Sequence, residues 1–281
     1  MPELPEVQTT VDGLNRTVRG KRITSVSTTY RSAYHAGKDN IKDPKFFRKF
    51  REIVTGQKIL KAERRAKNIL IHLSNNYTIL VHMKMTGHFV YDRPDYPFTR
   101  LVFKLDNGKT LALSDMRKFA KVTVVKSPEK YLEHLGPEPL EKNFQFRIFN
   151  FQLMKRPKAK IKTALMDQTL IAGIGNIYSD EILWRANVHP ESIVSQVPEK
   201  NLKLIFRALK EVLRKGIDFG GDAMKDYRNI YGEKGFFQDH HEAYQRKGLP
   251  CRKRGCKGKI ARIVVGARSA HFCPVHQKLY A

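Results

Sequence analysis

Two stretches of the chain carry residue types that could do chemistry. The first is the N-terminus, Met1-Pro2-Glu3-Leu4-Pro5-Glu6-Val7. A methionine ahead of a residue as small as proline is normally removed, which would leave Pro2 with a free secondary amine. Such an amine can add to a sugar aldehyde carbon and form an iminium, a form of covalent catalysis. Glu3 could exchange a proton beside it within hydrogen-bond reach. The plainer reading of the same residues is a helix start, with Pro5 in the first turn and the glutamates favouring its positive end. The second stretch is Cys251-x4-Cys256-x16-Cys273-x2-His276, a spacing that lets two facing turns close a tetrahedral zinc site. His271 competes with His276 for the fourth position, and the two-residue gap favours His276. Four protein ligands make a closed site, so one Zn2+ held there is structural. So short a basic module would fold around its metal.

Basic and apolar residues at turns form a second group. Arg64-Arg65-Ala66-Lys67 precedes an apolar strand and reads equally as a solvated strand end. Ile171-Ala172-Gly173-Ile174-Gly175-Asn176 places two glycines before a helix, where Asn176 could cap it and backbone N–H groups could approach a phosphate. No strand precedes this turn, so it is not a dinucleotide fingerprint. Beside Lys155, Lys158, Lys160 and Lys162 it suits a nucleic-acid backbone, and a plain interhelical turn equally well. Asp115-Met116-Arg117-Lys118-Phe119 sets Arg117 and Phe119 two apart after a hairpin strand, and Met85 lies at another strand end. Apolar side chains there are usually core. The sharper reading is a wedge that fills the space left by an extruded base.

The elements that must position these residues follow from the patterning. A helix is expected from Pro5 to Val18, with Val7, Val11, Leu14 and Val18 on one face and Gly20 as its stop. Strands are expected over 23–30, 58–62, 68–73, 78–83, 100–105, 109–114 and 121–125, with turns at Ser74-Asn75-Asn76 and Asp106-Asn107-Gly108. A short helix capped by Asp43 and opened by Pro44 carries Phe46, Phe47 and Phe50. So many short strands indicate a β-sandwich or barrel with the first helix packed on it. Leu135-Gly136-Pro137-Glu138-Pro139 reads as a hinge. Beyond it the pattern is helical over 146–155, 161–166, 176–186 and 199–215, followed by a polar and aromatic loop over 225–238. The 281 residues hold 53 Lys and Arg against 27 acids, a net charge of +26 that suits a polyanion. No apolar run reaches a membrane span and the N-terminus lacks a secretory pattern, so an intracellular location in cytoplasm or nucleoid is expected. Three cysteines confined to 251–273 make a disulfide framework an unsuitable reading.

Together, these motifs in this order resemble the formamidopyrimidine-DNA glycosylase and endonuclease VIII family of DNA repair enzymes. The resemblance runs through Pro2–Val7, Arg64–Lys67, His82–Gly87, Asp115–Phe119, the segment 134–140, the turn 173–178 and the terminal finger. It implies an α+β multidomain protein: an N-terminal β-sandwich with flanking helices over 1–135, a helix–two-turn–helix DNA-binding domain with a lesion-covering loop over 136–240, and a zinc finger over 241–281. DNA would lie in the cleft between the halves. The family's roles would fall on Pro2 as the nucleophile at C1′ and Glu3 as the proton-transfer group. Lys67 would serve strand cleavage by β-elimination, and Arg268 phosphate contact and δ-elimination. Met85, Arg117 and Phe119 would enter the duplex, and Asn176 would grip a phosphate, with Lys162 also in the DNA-binding set.

The finger departs from the family's usual four cysteines and two-residue first gap. Met116 replaces a common proline, and Phe98 and Arg100 occupy a region where a phosphate-contacting histidine is common. Phe119 and Gly232-Glu233-Lys234-Gly235-Phe236-Phe237 favour the formamidopyrimidine branch. The expected activity is a base-excision DNA glycosylase and abasic-site lyase. It would act as a monomer on double-stranded DNA containing oxidised purines or abasic sites. The alternatives are an endonuclease VIII-like preference for oxidised pyrimidines and a catalytically silent DNA-damage-binding protein.

Overall fold

The structure, a computed structural model, describes residues 1–93, 95–223 and 226–281; Lys225, which opens the expected loop 225–238, lies outside them. The chain divides into two compact units, Met1–Glu133 with Phe219–Phe236, and His134–Asp218 with Phe237–Ala281.

The first unit starts with α1 (Leu4–Thr17), whose Leu4, Val7, Val11 and Leu14 are buried. Next come β1 (Ile23–Thr28) and α2 (Pro44–Val54), where the Asp43 carboxylate accepts the Lys45 N–H at 2.7 Å as the expected cap. Six strands follow: β2 (Ile59–Arg65), β3 (Asn68–Leu73), β4 (Thr78–His82), β5 (His88–Tyr91), β6 (Thr99–Leu105) and β7 (Thr110–Ser114). β8 (Lys121–Val125) and α3 (Pro128–Leu132) complete the chain order of this unit. The strands make two antiparallel four-stranded sheets, β1-β6-β7-β5 and β2-β3-β4-β8. Alternate residues of both, among them Ile69, Ile71, Ile79, Val81, Leu101, Phe103, Leu111 and Leu113, share one core. That is a β-sandwich, and Phe50 of α2 packs into it with its ring 6.3 Å from that of Phe103.

Two strands differ from expectation. β2 continues to Arg65, because its pairing with β3 persists to Arg65 opposite Asn68. β5 has only four residues after the Thr86-Gly87 turn, too few to show an alternation. The segment Phe219–Phe236 clusters with the sandwich instead of the helical domain where 136–240 would have placed it. Its anchors explain this: Ile230 is in the sandwich core, Tyr91 donates its N–H to the Ile230 carbonyl at 2.8 Å, and Asp222 donates its N–H to the Glu6 carboxylate at 2.8 Å.

The second unit contains α4 (Phe146–Met154), α5 (Ile161–Met166), α6 (Asn176–Ala186), α7 (Glu199–Asp218) and a hairpin of β9 (Ala261–Val265) and β10 (Arg268–Phe272). α6 packs against α5, α7 and β10. The expected hinge at Gly136 is docked backbone to backbone: its N–H reaches the Gln168 carbonyl at 2.8 Å, and a Cβ there would lie 2.6 Å from the Leu170 carbonyl. Only glycine permits that approach.

Candidate active site and metal centre

In the sandwich unit, Pro2 and Glu3 are buried at the start of α1. Glu3 is the N-cap, and its N–H donates to the Glu6 carboxylate at 2.6 Å as half of a capping box. The helix-start reading of these glutamates therefore holds alongside any chemical one. Glu6, read from sequence only as an acid of the first helical turn, does more than cap. Its second oxygen takes the Asp222 N–H, and its carbonyl takes the Tyr227 hydroxyl at 2.9 Å and the Thr10 hydroxyl at 2.9 Å. A Cβ at Gly221 would stand 2.8 Å from Glu6 Cγ, so the glycine lets that loop close on the helix start. The helix start and this loop are one clamped assembly.

Lys67 lies in the two-residue turn between β2 and β3, after Ala66 at φ 54°, and is buried. The register places Asn68 opposite His82 at the end of β4. His82 is pushed down to about 3 by burial and by the positive charges of Lys84, Lys67 and Lys121. It is neutral at physiological pH, and its Nδ1 accepts the Lys84 N–H at 3.0 Å, leaving Nε2 as the protonated nitrogen. A neutral imidazole donor among lysines suits an anionic ligand, and no spacing in the sequence signalled it.

Met85, Arg117 and Phe119 are all exposed, Met85 by 40% and Phe119 by 49%. The core reading of these two side chains fails on that observation. The Arg117 guanidinium carbon sits 4.7 Å from the centre of the Phe119 ring, a cation–π pair that presents both groups as one surface. Their loops are tied beneath by Asp115, which is fully buried. Asp115 accepts the hydroxyls of Thr86 at 2.6 Å and Tyr30 at 2.7 Å and the Ala120 N–H at 2.8 Å. Thr86 in turn accepts the Arg117 N–H at 3.0 Å. This network raises the Tyr30 hydroxyl far above its ordinary range, through burial first and the Asp115 charge second.

In the second unit, Cys251, Cys256, Cys273 and His276 bring their ligand atoms within 4.8 Å of one another. Three thiols and an imidazole around one point are a donor set for a tetrahedral soft metal. His276 Nε2 donates to the Trp184 carbonyl at 3.2 Å, which directs Nδ1 toward Cys251 Sγ at 3.4 Å. His271 is not available: its backbone N–H and Nδ1 both engage the Asp180 carboxylate, at 2.9 and 3.0 Å. The two-residue gap therefore pointed to the histidine that lies with the three thiols.

Lys162 does not belong with a DNA-binding surface. Its side chain is wholly buried, with Nζ 2.5 Å from Asp180 Oδ1 and 3.0 Å from the Ser179 hydroxyl, so no phosphate can reach it. It joins α5 to α6, and Asp180 passes the link on to β10 through His271. Asn176 also differs in detail. Gly175 is the N-cap of α6, Asn176 is the first helical residue, and its buried Oδ1 has no hydrogen-bond partner among the described residues. Arg268 is exposed at the first position of β10, after the two-residue turn Gly266-Ala267 with φ of 54° and 60°. A Cβ on Gly266 would meet Thr163 of α5 at 2.5 Å, so the hairpin tip is seated on the helices. Glu181 anchors the approach to the three-cysteine, one-histidine cluster, accepting the N–H groups of Glu242, Ala243 and Tyr244 at 2.8 to 2.9 Å.

The family model described as the formamidopyrimidine-DNA glycosylase N-terminal domain matches residues 1–122, and that of its H2TH domain matches residues 135–228. The chain belongs to the formamidopyrimidine-DNA glycosylase family. It is 38% identical to the formamidopyrimidine-DNA glycosylase of Pelotomaculum thermopropionicum, over 99% of this chain and 100% of that one. Identity to the enzyme of Herpetosiphon aurantiacus is 39%, with the same coverage. A solved complex between the Lactococcus lactis Fpg and abasic-site DNA is 30% identical, with a TM-score of 0.87 over 98% of this chain and 99% of that one. A complex of a variant of the same enzyme with Fapy-dG containing DNA is 31% identical, also at 0.87, over 99% and 100%. The protein is a base-excision DNA glycosylase with the abasic-site lyase activity of this family, as its sequence motifs implied. Among the described residues no helix is long and apolar enough to cross a membrane.

Proposed function

We propose that this glycosylase removes oxidised purines, 8-oxoguanine and formamidopyrimidines, from double-stranded DNA and cleaves the strand by β,δ-elimination, with the Pro2 amine as nucleophile. The observation that carries this reading is the clamped helix start, where the Glu6 carboxylate holds the Glu3 N–H next to Pro2 and the Asp222 N–H of the loop. Loss of Met1 frees the secondary amine. Its lone pair forms a bond to C1′ of the damaged nucleotide, and the glycosidic electrons leave with the base. Glu3 takes the amine proton and passes it to the ring oxygen as the C1′–O4′ bond breaks, so that the nitrogen lone pair turns the C1′–nitrogen bond into an iminium, while the departing base takes its proton from solvent. That cation acidifies the 2′ hydrogens, so loss of a 2′ proton expels the 3′ phosphate, and a second elimination expels the 5′ phosphate. Hydrolysis of the iminium returns the amine.

Lys67 supports the eliminations through the electrostatics of its buried turn, and Arg268 and Asn176 hold backbone phosphates. The Asn176 position at the N-terminus of α6 adds the positive end of the helix dipole. Met85, Arg117 and Phe119 fill the space left when the base is extruded, offsetting a flipping cost of a few kcal/mol. Zn2+ is the metal that three thiolates and one imidazole fit, and Cys251, Cys256, Cys273 and His276 would hold it. Bound there it supplies structure to the finger that carries Arg268 and no chemistry.

Duplexes carrying 8-oxoguanine, thymine glycol or an abasic site test the substrate class. Release of 8-oxoguanine with phosphate at both ends of the gap is expected. Faster release of thymine glycol would place the enzyme with the oxidised-pyrimidine branch, and binding without release would leave a damage-binding protein.

A further inference from the structure

Lys42 precedes α2 and belongs to none of the motifs described above, yet it is buried to 5% exposure beneath the loop that carries Arg117 and Phe119. Its Nζ donates to the carbonyl of Lys118 at 2.6 Å and stands 5.3 Å from the centre of the Tyr30 ring. Lys118 adopts φ 57°, the left-handed region in which a non-glycine residue is held only by its surroundings. Three restraints meet at this one turn. Thr86 accepts the Arg117 N–H, Asp115 accepts the Ala120 N–H, and Lys42 donates to the Lys118 carbonyl between Arg117 and Phe119. Asp115 and Tyr30 complete the base of the assembly, and the Asp115 charge offsets part of the cost of burying the ammonium.

A buried ammonium is costly to desolvate, and a core leucine or methionine in its place would be cheaper. What the ammonium adds is a fixed donor for one backbone oxygen at the centre of a strained tip. We propose that Lys42 is a positioning residue for base extrusion, pinning the Lys118 peptide so that Arg117 and Phe119 meet the duplex in one preset conformation. This rests on the wedge reading of those two residues. Lys42 touches neither DNA nor the reacting atoms in this proposal. It acts through Phe119.

The test is a double-mutant cycle of K42M and F119A, read as single-turnover excision of 8-oxoguanine at saturating enzyme. Stopped-flow fluorescence of 2-aminopurine placed beside the lesion reports unstacking, and cleavage of abasic DNA is measured in parallel. K42M should slow unstacking and excision about ten- to a hundredfold, the scale on which a small misplacement acts. Abasic cleavage should fall much less. In the F119A background the effect of K42M should largely vanish, because the two substitutions remove the same contribution. Additive losses, unchanged unstacking in K42M, or a K42M protein that fails to fold would each overturn the positioning role. An F119A protein that excises 8-oxoguanine at the parental rate would instead remove the wedge reading itself, so the two failures are distinct.

Discussion

Lys162 and Asp180 form an ion pair of 2.5 Å in which neither side chain is exposed, and the other oxygen of Asp180 holds His271 of the finger hairpin. A basic residue beside a glycine-rich turn is here an internal tie between α5, α6 and β10. Breaking a buried pair by removing one partner typically costs about 3–5 kcal/mol, because a charge is left uncompensated. Lys162→Met is therefore expected to lower the unfolding midpoint in urea substantially, and adding Asp180→Asn should recover part of the loss. A Lys162→Met protein of parental stability, but with weaker DNA binding and a shallower salt dependence, would restore Lys162 to the phosphate-contacting set.

The histidine that lies with the three thiols can be separated from its neighbour as the proposed zinc ligand. His276→Ala and Cys273→Ser should each release the metal, whereas His271→Ala should keep about one zinc per chain, by the four-ligand logic of a closed site, and lose stability through Asp180. Chelation should abolish DNA binding before it unfolds the sandwich, because the metal supports only the finger. Zinc retained by His276→Ala and lost by His271→Ala would reverse the assignment.

Wedge and core roles for Phe119 make opposite demands. At 49% exposure its truncation should cost well under the about 3–5 kcal/mol of a buried aromatic. Excision of 8-oxoguanine should fall about ten- to a hundredfold while cleavage at an abasic site, which has no base to unstack, falls much less. Equal losses in both activities together with a large fall in melting temperature would make Phe119 a packing residue.

His82 gives a pH signature. Its folded value near 3 lies below the 6.5 of an unfolded histidine, so between these limits the unfolded chain binds the extra proton. Its contribution to stability is complete above about pH 6.5 and is lost as the pH falls toward 3, by up to about 1.4 kcal/mol per pH unit. His82→Gln should flatten that part of the stability profile. A parental slope in the variant would show that His82 titrates normally.

Much of this arrangement was legible in residue order, and the illegible part has one physical origin. Strand alternation and the Asp106-Asn107-Gly108 turn located the sandwich because both are local signals. Pro5 with its flanking glutamates and the thiol spacing are equally local, and they marked the helix start and the cluster of three cysteines and a histidine. What escaped depends on partners far along the chain. Lys162 read as surface because its acid lies 18 positions away, and Lys42 and Tyr30 carried no signal because they meet Lys118 and Asp115 only after 76 and 85 positions. Glu6 looked like an ordinary first-turn acid until the N–H of Asp222, 216 positions on, arrived at its second oxygen. A buried charge is identified by its counter-charge, and pairing at that range is set by the fold.

The Pro2 amine is most directly tested by borohydride reduction of the protein during reaction with abasic duplex DNA, followed by peptide mapping of the covalent adduct. The adduct is expected at residue 2 in protein lacking Met1, and retention of Met1 should abolish it. An adduct mapped to Lys67 in the parental protein would contradict the proline nucleophile.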